Sequence, residues 1–188
     1  MKRQRILLVL LFAFVLVACG DDTSESGMVK NADGDVEVTF PANYFEGLSE
    51  DDIKANAKEQ SVDIKEIHDD GSVTYTMTEE RHAKLVEEVE ASLEDVMKQL
   101  VEKDDYKSIQ KISANGDYTE YDVTVDREAF ESSMDMIGTM NLYVGSSFLH
   151  AYKNNPNPSI TLNLIDAKNE EVYETIVLPD DMEEETSE

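Results

Sequence analysis

The sequence predicts an α+β domain: an antiparallel sheet built from three β-hairpins plus an N-terminal strand, with three helices packed on it. Three observations predict it. Short alternating segments come in pairs around turn-forming residues. Three longer segments carry apolar residues at helical spacing behind a capping side chain. Two stretches in the middle of the chain repeat one order of strand, turn, strand, cap and helix.

Taken in order, "VEVTF" (Val36–Phe40) alternates as a strand and stops at Pro41. Ser49 stands before Glu50, Asp51 and Asp52, so a helix starts there with a hydroxyl cap and acids in its positive first turn; it runs to about Gln60. "VDIKEI" and "SVTYTM" flank His68-Asp69-Asp70-Gly71, a hairpin turn in which glycine takes a positive φ. Thr78 caps a long second helix. Its apolar positions Leu85, Val86, Val89, Leu93, Val96, Met97, Leu100 and Val101 follow the 3–4 spacing of one buried face. A second hairpin joins "SIQKI" to "TEYDVTV" through Asn115-Gly116-Asp117. Asp126 caps a third helix that ends before Asn155-Pro156-Asn157-Pro158. A third hairpin, "SITLNLI" and "EVYETIVL", turns around Asp166–Asn169.

The two stretches "IKEIHDDGSVTYTMTEERHAKL" and "IQKISANGDYTEYDVTVDREAF" share I-x-x-I, a glycine-containing turn, an alternating strand, a cap and a helix. Duplication and convergent hairpin chemistry both account for the match. Either way the hairpins and helices belong to one α+β unit.

The first 22 residues, "MKRQRILLVLLFAFVLVACGDD", bear on location. Ile6 to Ala18 is 13 residues, and at roughly 1.5 Å of rise each they cannot cross a hydrocarbon core of about 30 Å. Lys2, Arg3 and Arg5 make a basic n-region before a short apolar run, the layout of a secretion signal. The expected division is a signal peptide over 1–18, a flexible acidic tether over 19–35, one α+β domain over 36–179 and a disordered acidic tail over 180–188. The tether would span about 20–25 Å as a coil. Cys19 is the single cysteine of the chain, so no internal disulfide can form.

Removing residues 1–18 takes three of the 16 basic residues and none of the 42 acids, leaving 13 − 42 = −29. A nucleic-acid partner is excluded on that charge, because phosphates would be repelled. Anionic headgroups are disfavoured for the same reason. Apolar residues remain plentiful and periodic, which favours a folded domain with a solvated acidic surface.

Leu16-Val17-Ala18-Cys19 resembles the bacterial lipobox. With "VEVTFPANYFEG", "DGSVTYTMTEERH", "YTEYDVTVDREAFE" and "ETIVLPDD", it makes the chain similar to the small uncharacterised lipoproteins of the Gram-positive cell envelope. The resemblance implies that Cys19 is lipidated and becomes the mature N-terminus, so that the domain sits on the extracytoplasmic face of the cell membrane. Two acyl chains would hold it there stably. The resemblance brings no activity with it.

Catalytic and metal-binding patterns are sparse. His68, His82 and His150 fall in no H-x-x-x-H or H-E-x-x-H pattern, and no cysteine assists them, so neither a metal site nor a cofactor is expected. There is no G-x-S-x-G and no glycine-rich phosphate loop. "NADGDVEVTF" places Asn31, Asp33 and Asp35 like alternate EF-hand ligands, but Gly34 is misplaced and Ala42 stands where the bidentate glutamate belongs.

The third helix, "SMDMIGTMNLYVGSSFLHAY", is apolar around much of its circumference. It reads as a central core helix, or as one that leaves a Met/Tyr-rich face for a partner: Met134, Met136, Met140, Tyr143 and Tyr152. Asp135, Asn141 and His150 argue against a membrane span. The favoured function is an envelope interaction module, with a protein or polymer as partner and no catalysis. A small-ligand or cation-binding lipoprotein is the second class, and an enzyme of unrecognised type the third. Clustered Tyr/Phe facing an opening, such as Tyr44, Tyr75, Tyr121 and Tyr143, would signal a ligand site. A histidine or serine meeting a carboxylate across the fold would signal an enzyme.

Overall fold

The structure, a computed structural model, describes residues 29–181. The signal segment, Cys19, the tether up to residue 28 and the tail from 182 onward lie outside the described residues.

The chain is α+β, and among the described residues its strands form two four-stranded sheets rather than one. The first sheet contains β1 (Val29–Lys30), β2 (Val36–Phe40), β3 (Asp63–Ile67) and β4 (Val73–Met77), in the order β1-β2-β4-β3 and antiparallel throughout. The second contains β5 (Ile109–Ala114), β6 (Glu120–Val125), β7 (Ile160–Asp166) and β8 (Val172–Leu178) in chain order. All three expected hairpins are present, and Gly71 takes a φ of 86° in the first of them. Pairing begins at Val29, inside the segment read as tether. There Asn31 Oδ1 accepts from the backbone N–H groups of Asp33 and Asp35, so the EF-hand-like residues build a turn.

The departure from a single antiparallel sheet has a simple cause. β6 and β7 are neighbours joined by helices, and a helical crossover between adjacent strands leaves them parallel, as their register from Glu120↔Thr161 to Val125↔Asp166 records. By contrast α2 (Glu79–Glu102) leads from β4 into a different sheet.

Among the described residues the α-helices number four rather than three. α1 (Glu50–Glu59) has the cap expected at Ser49, completed by Asp52 reaching back to the Ser49 N–H. Thr78 caps α2 through the Arg81 N–H. The third predicted helix is broken into α3 (Arg127–Glu131) and α4 (Asp135–Tyr152). The break falls at two serines whose hydroxyls donate back to helix carbonyls, Ser132 to Glu128 and Ser133 to Phe130, while Ser133 Oγ also accepts from the Asp135 N–H.

α2 and α4 run antiparallel and tie the two sheets together. Leu85, near the start of α2, packs into the core of the first sheet with Val36, Val38, Phe40 and Met77. Leu100, near its end, packs into the core of the second with Tyr121, Val123, Leu142 and Leu162. α4 travels the other way, giving Leu142 to the second core and Ala151 to the first. Only three of the eight apolar α2 positions, Leu85, Leu93 and Leu100, are buried outright. The rest are half-buried, which leaves a trough beside the helix. No helix among the described residues is long and apolar enough to cross a membrane.

Candidate binding groove

The trough is an open groove of about 660 Å³ between the inner face of the first sheet, α1, α2 and α4. Strand alternation supplies the floor: Val36, Val38 and Phe40 of β2 lie opposite Met77, Tyr75 and Val73 of β4, so one sheet face is apolar and the other carries Glu37, Thr39, Thr74 and Thr76. Helical spacing supplies the walls. Leu85, Val89, Ser92 and Val96 line it from α2, and Asn141, Val144, Phe148 and Tyr152 from α4.

Aromatic rings gather at one end, with Phe40 as their hub. Its centroid lies 5.5 Å from Tyr44, 5.8 Å from Tyr75, 6.1 Å from Phe148 and 5.1 Å from Tyr152. Tyr44 and Phe148 meet edge-on at 4.8 Å. Most of these pairs are the edge-to-face arrangement that ring quadrupoles favour. Burial raises the hydroxyl pKa of Tyr44, Tyr75 and Tyr152, so all three are neutral at physiological pH. Tyr44, Val144 and Phe148 also border a second hollow of about 310 Å³ that reaches Tyr143 and Pro179.

The expected aromatic markers therefore divide. Tyr44 and Tyr75 line the groove and Tyr143 the adjoining hollow. Tyr121 instead is fully buried beneath α4, where its hydroxyl shares a 2.7 Å hydrogen bond with Ser146 Oγ. The five candidate surface residues of α4 divide as well. Met134 is exposed, Met136, Met140 and Tyr143 lean on the second core, and Tyr152 belongs to the aromatic cluster. The face of α4 that stands open is a different one, made by Ile137, Asn141, Val144 and Phe148. Its 4–3–4 spacing is visible in the sequence, but the helix is apolar on every side and nothing in the pattern singles that stripe out.

The histidines serve the framework. His82 Nε2 donates to the Tyr152 carbonyl at 2.8 Å, and His150 Nε2 to the Asp117 carbonyl at 3.0 Å. His68 Nε2 bonds Thr74 Oγ1 at 2.8 Å on the polar face of the first sheet, with Glu66 3.6 Å from its other nitrogen. That carboxylate–imidazole–hydroxyl series resembles a nucleophilic relay. β4 is a central strand, however, and its backbone N–H groups belong to ladders with β2 and β3, so they offer Thr74 no oxyanion site. One serine does meet a carboxylate across the fold, since Ser108 donates both its hydroxyl and its N–H to Asp135 Oδ2. Both residues are buried away from any substrate. Ser108 and Lys111 also have S-x-x-K spacing, but they lie at the start of β5, with Lys111 in solvent. Among the described residues, no three His, Cys, Asp or Glu side chains converge to hold a metal ion.

Comparison with known proteins finds no matching family, no similar curated protein and no similar solved structure. The groove's own chemistry is what bears on function.

Proposed function

We propose that the protein is a lipid-anchored, extracytoplasmic binding module of the cell envelope that takes an apolar guest in the aromatic groove and performs no covalent chemistry. The convergence of Phe40, Tyr44, Phe45, Tyr75, Phe148 and Tyr152 around one open, half-solvated groove carries this reading. Phe40 is already buried, but Phe148 is 39% exposed and the other four rings are half-buried, and leaving them partly accessible favours a guest that completes the burial. The lipobox resemblance at Leu16–Cys19 supports the location. A small apolar ligand is the second reading, favoured by a groove volume in the range of small-molecule sites.

The test is uptake of Nile red, an uncharged environment-sensitive dye, by residues 27–188. A saturable fluorescence rise that Phe148→Glu removes, with circular dichroism unchanged, is expected. Dye uptake indifferent to Phe148→Glu would overturn the groove as the binding site.

A further inference from the structure

The apolar surface does not stop where the groove does. Along α4 it continues through Val144 and Ile137 to Met134, which are 49%, 59% and 73% exposed. From Met134 to Phe148 the stripe covers 14 residue steps, about 21 Å of helix. A ligand confined to the groove would leave Met134 and Ile137 bare. A partner helix of about four turns would cover the whole stripe and set its own i, i+3, i+4, i+7 anchors against Phe148, Val144 and Ile137.

Charge selects the kind of helix. Among the described residues none that lines the groove is basic, and the two charged ones are Glu59 and Glu88. Glu88 is shared with Arg81 and Lys84, whereas Glu59 has no ion pair among the described residues. The helices forming two of the walls are acidic along their length: α1 carries four acids to two bases, and α2 eight to three. A second copy of the chain would bring an equally acidic surface against this one, and an anionic membrane face would be repelled.

We propose that the groove and the adjoining α4 stripe receive a cationic amphipathic helix of another protein or peptide, its apolar face on Phe148, Val144 and Ile137 and its basic residues over the acidic walls of α1 and α2. The proposal rests on the groove reading above and fixes the class of guest.

The experiment titrates residues 27–188 with a labelled Leu/Lys model helix of about 18 residues, its Leu/Glu counterpart, and a scrambled Leu/Lys peptide lacking the apolar stripe. Fluorescence anisotropy reads binding, and Nile red reports the groove in parallel. Saturable binding of the Leu/Lys helix alone is expected, weakening as salt rises. Ile137→Glu should weaken it by roughly tenfold or more while dye uptake persists, and Glu59→Lys should flatten its salt dependence. Equal binding of all three peptides, or of none, with Phe148-dependent dye uptake intact, would overturn the helix proposal and leave the groove reading standing. Loss of Phe148-dependent dye uptake would instead remove the groove reading itself. A dimer in sedimentation that Ile137→Glu dissociates would overturn the proposal in favour of a second copy.

Discussion

Leu93 of α2 lies directly on Gly145 of α4: a Cβ added to Gly145 would come within 2.6 Å of Leu93 Cδ2. Leu93 is 1% exposed and sits between the two cores that α2 and α4 connect. The glycine lets the helices approach, and the leucine fills the space. Leu93→Ala is expected to cost about 2–5 kcal/mol through the lost apolar contacts and the cavity left behind. Glu94→Ala, on the exposed side, should stay within about 0.5 kcal/mol. Urea melts of residues 27–188 measure both. Equal losses would mean that α2 does not pack through Leu93.

The same contact predicts a coupled pair. Gly145→Ala gains up to about 1 kcal/mol of helix propensity but drives a methyl into Leu93, with a strain of about 1–3 kcal/mol. A net loss is expected. In the Leu93→Ala background that clash disappears, so Gly145→Ala should become neutral or stabilising. A double-mutant cycle with a coupling below about 0.5 kcal/mol would show that the two side chains do not meet.

The proposed anchor is tested separately from the fold. Cys19→Ala is expected to abolish incorporation of a clickable palmitate analogue in cells and to leave the precursor uncut or release soluble protein. Equal labelling of wild type and variant would dismiss the lipobox resemblance at Leu16–Cys19.

Local chemistry made much of this fold legible. The Ser49 and Thr78 caps, the His68–Gly71 turn and the alternation of β2, β4, β6 and β7 all depend on neighbours a few residues apart, which a sequence displays directly. The division into two sheets depends instead on where each crossover lands. α2 is amphipathic and α4 is apolar around much of its circumference, yet neither pattern tells that α2 leads to a new sheet and the α3–α4 pair to a parallel neighbour. The break at Ser132–Met134 stayed hidden because serine is only mildly unfavourable inside a helix. The groove was legible in kind but not in membership. Phe40 and Phe148 are 108 positions apart, and only tertiary packing decides that Tyr75 faces the opening while Tyr121 is sealed beneath α4.

Sealing Tyr121 has a consequence at high pH. Burial pushes its hydroxyl from the ordinary value near 10 up to about 12, a rise that the Ser146 hydrogen bond only partly offsets. The folded state therefore holds this proton more tightly than the unfolded chain does. Its contribution to stability is full below pH 10 and is lost as the pH climbs through about 12. Wild-type protein should lose stability over that window, and Tyr121→Phe, which has no proton to release, should lose less. Parallel urea melts at pH 8 and pH 11 decide it. An unchanged difference between the two proteins would mean that Tyr121 ionises as freely folded as unfolded.

His82 offers the sharpest separation of framework from chemistry. Tyr152 is the last residue of α4, so its carbonyl has no N–H within the helix to pair with. His82, in the first turn of α2 and 6% exposed, supplies the missing donor at 2.8 Å. Its Nε2–H closes the C-terminal end of one helix from the N-terminal end of the other. His82→Leu would take the donor from that part-buried carbonyl, at a cost of up to about 1–3 kcal/mol. His82→Gln keeps an N–H donor of similar reach and should recover part of the loss. If the histidine were a proton carrier in a reaction, glutamine would restore stability without restoring turnover. A thermal melt in which the glutamine variant is no better than leucine would remove the capping role.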